Sequence, residues 1–228
     1  MSQKRILVIA AHPDDELLGA GATLAAHVKK GDLVQALILG EGIMSREQGS
    51  QEEMKELQKQ SEEAGKTIGF AAVSFGSFPD NAFDTVALLH IAKEVEKKIA
   101  EFKPDTIYTH HGKDLNVDHR RTFEAVMTAC RPCNADAPAE IFTFETLSST
   151  EWQSKQEEPF RPNVYINVES TIEQKIEAFK KYKSEIRDYP HSRSAEGLKI
   201  LAQYRGLEAG LKFAEAFHLE RSIKKDSV

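Results

Sequence analysis

The stretch RILVIAAHPDDELLGAG, Arg5 to Gly21, decides the fold. Its first half, Arg5–Ala11, is an unbroken apolar run rich in Ile and Val, the pattern of a strand buried on both faces. Its second half opens a helix over Asp15–Lys30. Leu17, Leu18, Ala22, Leu24, Ala25 and Val28 give that helix a broad apolar stripe, and Gly31 stops it. A doubly buried strand leading at once into an amphipathic helix is the opening unit of a sheet covered on both sides.

Working outward, LVQALILG (33–40), AAVSFGS (71–77), TIYTHH (106–111), EIFTFET (140–146) and VYINV (164–168) read as further strands. Helices are expected over 50–68, over Leu88–Phe102, around Arg120–Cys130, near Thr171–Ile186 and over Ala195–Phe217. The alternation predicts an α/β chain with a Rossmann-like, mostly parallel sheet and helices on both faces. One domain is expected over 1–228, with C-terminal helices of about 170–218 packed on the core and 222–228 frayed. Working loops in such sheets lie past the carboxyl ends of the strands. Three polar loops qualify: His12–Glu16, Glu41–Gln48 and His110–His119.

Composition narrows the function classes. A chain of 228 residues with 40% hydrophobic content can bury a core without disulfides. A net charge of −6 and the lack of a basic stripe argue against a nucleic-acid partner. There is no run of 18 apolar residues to span a membrane, and the N-terminal apolar run is too short for a signal peptide, so a cytoplasmic location is expected. Oligomeric state is unreadable, and a homo-oligomer is possible. Cys130 and Cys133, in CRPC, close a helix rather than open one, and read as two ordinary thiols. GAGATL holds only two glycines of a dinucleotide fingerprint, with Leu24 at the third position, and they fall inside the helix.

His12-Pro13-Asp14-Asp15-Glu16 carries the chemistry. Proline at a helix start and acids in its first turn are ordinary. That explains one or two of the acids. It does not explain a histidine beside three adjacent carboxylates, whose repulsion is costly unless a cation offsets it. Zinc takes imidazole nitrogen and carboxylate oxygen, and catalytic sites use about three protein ligands. His12 and one aspartate supply two. The third must come from YTHHGKDLNVDHRRT, which offers His110, His111, Asp114, Asp118 and His119, the last aimed from the start of a helix. His27, His90 and His218 read as structural or surface residues.

AHPDDE followed by a glycine-bearing helix, and DLNVDHR about a hundred residues later, resemble the LmbE-like or PIG-L N-acetylglucosamine deacetylase family. YRGLEAGLKFAEAF resembles that family's ending, and GEGIMSR, FPDN and HHGKDLNVDHR resemble one branch of it. The resemblance implies a Rossmann-like fold and one zinc ion, with His12, Asp15 and His119 as ligands and Asp14 as general base. It implies hydrolysis of the N-acetyl amide of an amino sugar or its conjugate, a small-molecule substrate. The chain departs from the family at the second motif. Members carry His-Pro-Asp-His, whereas this chain has Asn116-Val117-Asp118-His119. Asn116 can donate a hydrogen bond in the transition state but cannot surrender a proton, so either the acid role moves or Asp14 does both jobs.

YPHSRS offers His191 and Arg193 for a catalytic or substrate-clamping loop, and Asp118 is expected to orient a ligand or the base. Arg46, Asp80 and Asn81, on the other rim loops, are assigned to substrate contact. Trp152 is the sole tryptophan, so no sugar-stacking platform is evident. Two rivals remain open: a magnesium phosphoesterase, and a metal-dependent binding module without turnover.

Overall fold

A computed structural model describes residues 3–43, 50–154, 156 and 158–224. The strands are β1 (Arg5–Ala10), β2 (Leu33–Gly40), β3 (Ala72–Phe78), β4 (Thr106–His110), β5 (Glu140–Phe144), β6 (Val164–Asn167) and β7 (Ala214–Ser222). The helices are α1 (Asp15–Lys29), α2 (Gln51–Ile68), α3 (Leu88–Phe102), α4 (Val117–Ala129), α5 (Ile172–Phe179) and α6 (Ala195–Ala209). The strands form one sheet in the order β3-β2-β1-β4-β5-β7-β6. β1 to β5 run parallel, while β7 runs antiparallel to both its neighbours.

β1 is the keel of the sheet. Ile6 and Val8 face one apolar cluster, with α1, α2, α5 and α6, and Leu7 and Ile9 face the other, with α3 and α4. All four side chains are fully buried, which explains why the run does not alternate with polar residues. Winding goes one way from β1 to β2 and β3, then resumes on the other side at β4. The crevice beyond the carboxyl ends of β1 and β4 is therefore the topological switch point, where such sheets bind ligands.

The C-terminal third differs from the sequence expectation. The helix expected over Thr171–Ile186 stops at Phe179, and the one expected over Ala195–Phe217 stops at Ala209. Gly210 caps α6 with φ of 69°, a left-handed conformation that side chains disfavour. The following AEAFHLERS is a strand inserted between β5 and β6. Ala, Glu and Leu are strong helix formers, so local propensity pointed the wrong way. What overrides it is the vacant slot between two strand edges, which β7 fills with hydrogen bonds on both sides. The chain also enters α4 three residues earlier than expected, making Asn116 its cap.

β7 also carries a buried ion pair. Glu215 accepts from Lys175 Nζ at 2.6 Å and from the Ala22 and Thr23 backbone N–H groups of α1 at 3.1 and 2.7 Å. Lys175 in turn donates to the Leu18 carbonyl at 2.8 Å. Two elements from distant parts of the chain, α5 and β7, are thereby tied to the middle of α1. The glycines of GAGATL serve the same packing, since a Cβ at Gly19 would collide with the Phe144 ring. No helix among the described residues is long and apolar enough to cross a membrane.

Two measurements follow from this packing. Lys175→Met strands the Glu215 carboxylate in the interior, so urea unfolding is expected to show a loss of about 3–5 kcal/mol with an unchanged slope. Cys130 is buried and its thiol is pushed up to about 12 by that burial, while Cys133 is exposed. A thiol reagent is expected to label only Cys133 in the native protein and both thiols after denaturation.

Candidate metal centre and its cleft

Three acids at one corner are separated by the geometry of the turn. Asp14 caps α1, and its carbonyl accepts from Leu17 N and Leu18 N at 3.0 and 2.9 Å. Its backbone sits at φ of 101°, a conformation that costs a non-glycine residue about 1–3 kcal/mol. The three side chains consequently diverge. Glu16 turns inward, accepting from Tyr182 Oη at 2.5 Å and from Asp14 N at 3.0 Å. Asp15 turns toward the histidines. Asp14 faces a cavity of about 200 Å³ and the Arg193 guanidinium at 3.1 Å.

Asp15 Oδ2 lies 3.2 Å from His12 Nδ1 and 3.2 Å from His119 Nε2. These three residues form one of two groups among the described residues whose donor atoms could hold a metal ion. The spacing fits: two ligands at ~2.0–2.1 Å from a tetrahedral zinc lie roughly 3.3 Å apart. The far nitrogen of each imidazole meets a carboxylate, His12 Nε2 with Asp118 Oδ2 at 2.8 Å and His119 Nδ1 with Asp114 Oδ1 at 3.0 Å. Each carboxylate can hold a ring proton on its own side, so that a metal ion would have to displace only the proton of the inner nitrogen.

These carboxylates are themselves held. Asp118 accepts from Asn81 N and Phe83 N at 2.7 and 2.9 Å, and Asp114 accepts from Asn116 N at 2.9 Å and from the Ser149 and Thr150 hydroxyls. The second group, His12 with Asp80 and Asp118, would use the other nitrogen of His12. Asp118 already accepts two backbone N–H groups there, so the first group is the better fit.

Electrostatics agree with a cation site. Burial works to lower the His12 and His119 pKa values, yet the carboxylates around them bring His12 up to about 10 and His119 up to about 9. Burial alone would raise Asp15, but the His119 charge, with hydrogen bonds from His119 and His12, holds its carboxyl well below the usual range. Asp14 goes the other way: burial and then the adjacent Asp15 charge push it well above the usual range, against the pull of Arg193. Two neighbouring aspartates are thus tuned in opposite directions, as an acid–base group beside a ligand requires.

His110, also a candidate from sequence, stands outside both donor groups. It is fully buried, stacked on His119 at 3.9 Å, and accepts from Ala11 N at 2.9 Å. Burial, then the neighbouring His119, drive it down to about 3, so it is a neutral spacer that fixes the His119 ring. His111 packs edge-on against Phe160.

The other expected site residues divide. Asp80, Asn81, Asn116 and Arg193 line the cleft. Asn116 is committed to structure, its Oδ1 accepting from Asp118 N at 2.8 Å and its Nδ2 donating to Asn81 Oδ1 at 3.1 Å. Arg193 is held between Asp14 and Glu185, the latter at 3.0 Å. Asp118 is fully buried behind His12, its carboxylate against the far nitrogen of that ring. His191 does not line the cleft; its Nδ1 accepts from Arg193 N at 3.1 Å and its ring meets Trp152. Arg46 lies outside the described residues. Sequence reading missed Glu16–Tyr182, Glu185 and the Ser149–Thr150 hydroxyls, none of which carries a short-range signal.

Comparison with known proteins gives this cleft a lineage. Residues 7–130 match the family described as PIG-L, GlcNAc-PI de-N-acetylase. The chain is 30% identical over 190 residues to the uncharacterized deacetylase YaiS of Escherichia coli (strain K12), covering 80% of this chain and 92% of YaiS. The fold resembles N,N'-diacetylchitobiose deacetylase from Pyrococcus horikoshii, with TM-score 0.76, 21% identity and coverage of 95% and 83% of the two chains. It also resembles GalB, the 4-carboxy-2-hydroxymuconate hydratase from Pseudomonas putida KT2440, with TM-score 0.73, 18% identity and coverage of 99% and 100%. Fold likeness at these identities thus spans two chemistries, and the site must decide between them.

Asp118→Asn removes the charge that orients His12. Metal affinity, measured by chelator competition, is expected to fall about 10–100-fold, with the far-UV circular dichroism retained.

Proposed function

Because the chain belongs to the PIG-L family of de-N-acetylases, we propose that it hydrolyses the N-acetyl amide of an amino sugar or amino-sugar conjugate. Acetate and a free amine are the products. The supporting cation in this reading is one zinc ion on His12, Asp15 and His119. The observation that carries the reading is the convergence of those donor atoms, each imidazole backed by its own carboxylate, with Asp14 on the open side of the same cavity.

A zinc ion held there supplies Lewis acidity and lowers the pKa of its water from ~15.7 toward ~7. The rest is done by the chain. Asp14 takes a proton from the water that attacks the acetamide carbon. A carbon–oxygen bond forms, and the carbon–nitrogen bond then breaks. Asn116 has no proton to give and its amide oxygen caps α4, so Asp14 returns the proton to the departing amine. A carboxyl raised by burial suits both jobs, since it holds a proton more readily than an exposed aspartate. Arg193, bonded to Asp14 and Glu185, keeps the base in place across the cleft. Asp80 and Asn81 present forked polar groups to sugar hydroxyls.

Two imidazoles in the donor set weigh against a magnesium phosphoesterase, since magnesium prefers oxygen ligands and waters. A binding module without turnover gives no role to a strained, pKa-shifted aspartate on the cavity wall.

Acetate release from N-acetylglucosamine and its conjugates tests the reading. Asp14→Asn is expected to cut the rate about 10²–10⁴-fold while elemental analysis still finds the metal bound. Retained turnover in that variant would exclude Asp14 as the base.

A further inference from the structure

A cavity of about 220 Å³ lies at the rim of the sheet opposite the metal cleft. Thr106 and Glu140, the first residues of β4 and β5, stand on its wall with Lys4, just before β1. The second half of α1 closes the other side with Thr23, Ala26, His27 and Lys30. It shares no lining residue with the metal cleft, and the proposed reaction uses none of these side chains. At ~30 Å³ apiece about seven waters would fill it, and the same room takes one small ring with its substituents.

The cavity has two polar ends and an apolar middle. At the inner end Thr23 is buried, and its hydroxyl has no hydrogen-bond partner. Buried hydroxyls nearly always have one, so this donor is open to a guest. Tyr108 is buried as well, and its Oη meets His27 Nε2 at 3.0 Å. His27 Nδ1 meets Asp32 Oδ2 at 2.8 Å. Burial lowers the His27 pKa against the pull of Asp32, so the imidazole is neutral. A carboxylate only accepts, so Nδ1 carries the ring proton and Nε2 accepts from the Tyr108 O–H. The phenol oxygen is left with lone pairs alone to offer.

The middle is a flat apolar wall, where the Tyr108 ring stacks on Phe142 at 5.2 Å and 17° and Ile166 adds a partly buried side chain. At the mouth, the Glu140 carboxylate is matched by Lys4 at 3.4 Å and by Lys224 at 3.2 Å. Lys30 is exposed and makes no ion pair among the described residues. One positive charge is therefore left over at the opening.

We propose that this cavity is a second ligand site, for a small aromatic carboxylate bearing a hydroxyl opposite the acid group. The ring lies along Tyr108 and Phe142. Its hydroxyl accepts from Thr23 and donates to Tyr108 Oη, and its carboxylate faces Lys30. The site does not depend on the deacetylase reading of the cleft.

Calorimetric titration of the metal-loaded protein with 4-hydroxybenzoate, benzoate and 4-hydroxybenzyl alcohol tests the site. Saturable binding of 4-hydroxybenzoate is expected with a Kd on the order of 0.1–1 mM. Benzoate is expected to bind about two- to tenfold more weakly, for want of the inner hydroxyl. The alcohol is expected to bind about two- to fivefold more weakly, for want of the charge. Thr23→Val keeps the shape and removes the hydroxyl, so the preference for 4-hydroxybenzoate over benzoate is expected to fall in it. Ala26→Phe puts a ring into the cavity and is expected to abolish binding, with circular dichroism and metal content retained.

Absence of saturable binding would make the cavity a pocket of water and overturn the proposal. Binding that survives in Ala26→Phe, or that is lost when a chelator strips the metal, would overturn it by placing the carboxylate at the metal centre. If Ala26→Phe does not fold, an unchanged hydroxyl preference in Thr23→Val overturns the site and a reduced one supports it.

Discussion

The Asp15 carboxylate between His12 and His119 is the contact on which the rest of this structure depends. It joins the first corner of the chain to the start of a helix more than a hundred residues later, with 3.2 Å on either side. Burying a carboxylate among imidazoles is unfavourable unless charges alternate and every outer atom has a partner. Asp118 and Asp114 provide that alternation, and backbone N–H groups and hydroxyls satisfy them in turn. The network is complete enough to hold its shape before any substrate arrives, which is what a preorganised site requires.

The parallel sheet makes the meeting possible. β1 and β4 are neighbours, so the loops that leave their carboxyl ends emerge side by side at the switch point. His12 comes from one loop, and Asp114, Asn116 and the first turn of α4 from the other. His110, at the very end of β4, fills the space between and stacks under His119. The sheet thus delivers the donors from rigid strand ends, with little freedom left in the intervening turns.

The segment matched by the family, 7–130, contains the candidate ligands, the base and their supporting carboxylates. It contains only part of the wall, including Asp80, Asn81 and Asn116. Thr146, Ser149, Glu185 and Arg193 come from later in the chain. Lys175–Glu215 and Tyr182–Glu16 pin that later part onto α1, close to the metal-binding corner. The cleft is therefore assembled from both portions of the chain, the candidate donors from the first and Glu185 and Arg193 from the second.

The divide between sequence and tertiary structure follows the range of the forces. β1, α1, β2 and α3 were legible because apolar spacing and a stopping glycine or proline act within a few residues. His12 and the aspartates stood out as a candidate site because a histidine beside three carboxylates has no cheap structural explanation, whereas singling out His119 among the downstream candidates rested on the family resemblance. The strand β7 was not, since its local sequence favours helix and only a gap between two strand edges makes it a strand. Nor was Asn116 as a cap or Asp114 as the partner of His119. Hydrogen bonding and ring contact between residues far apart in sequence are decided by where the chain has already packed, and no local pattern records that.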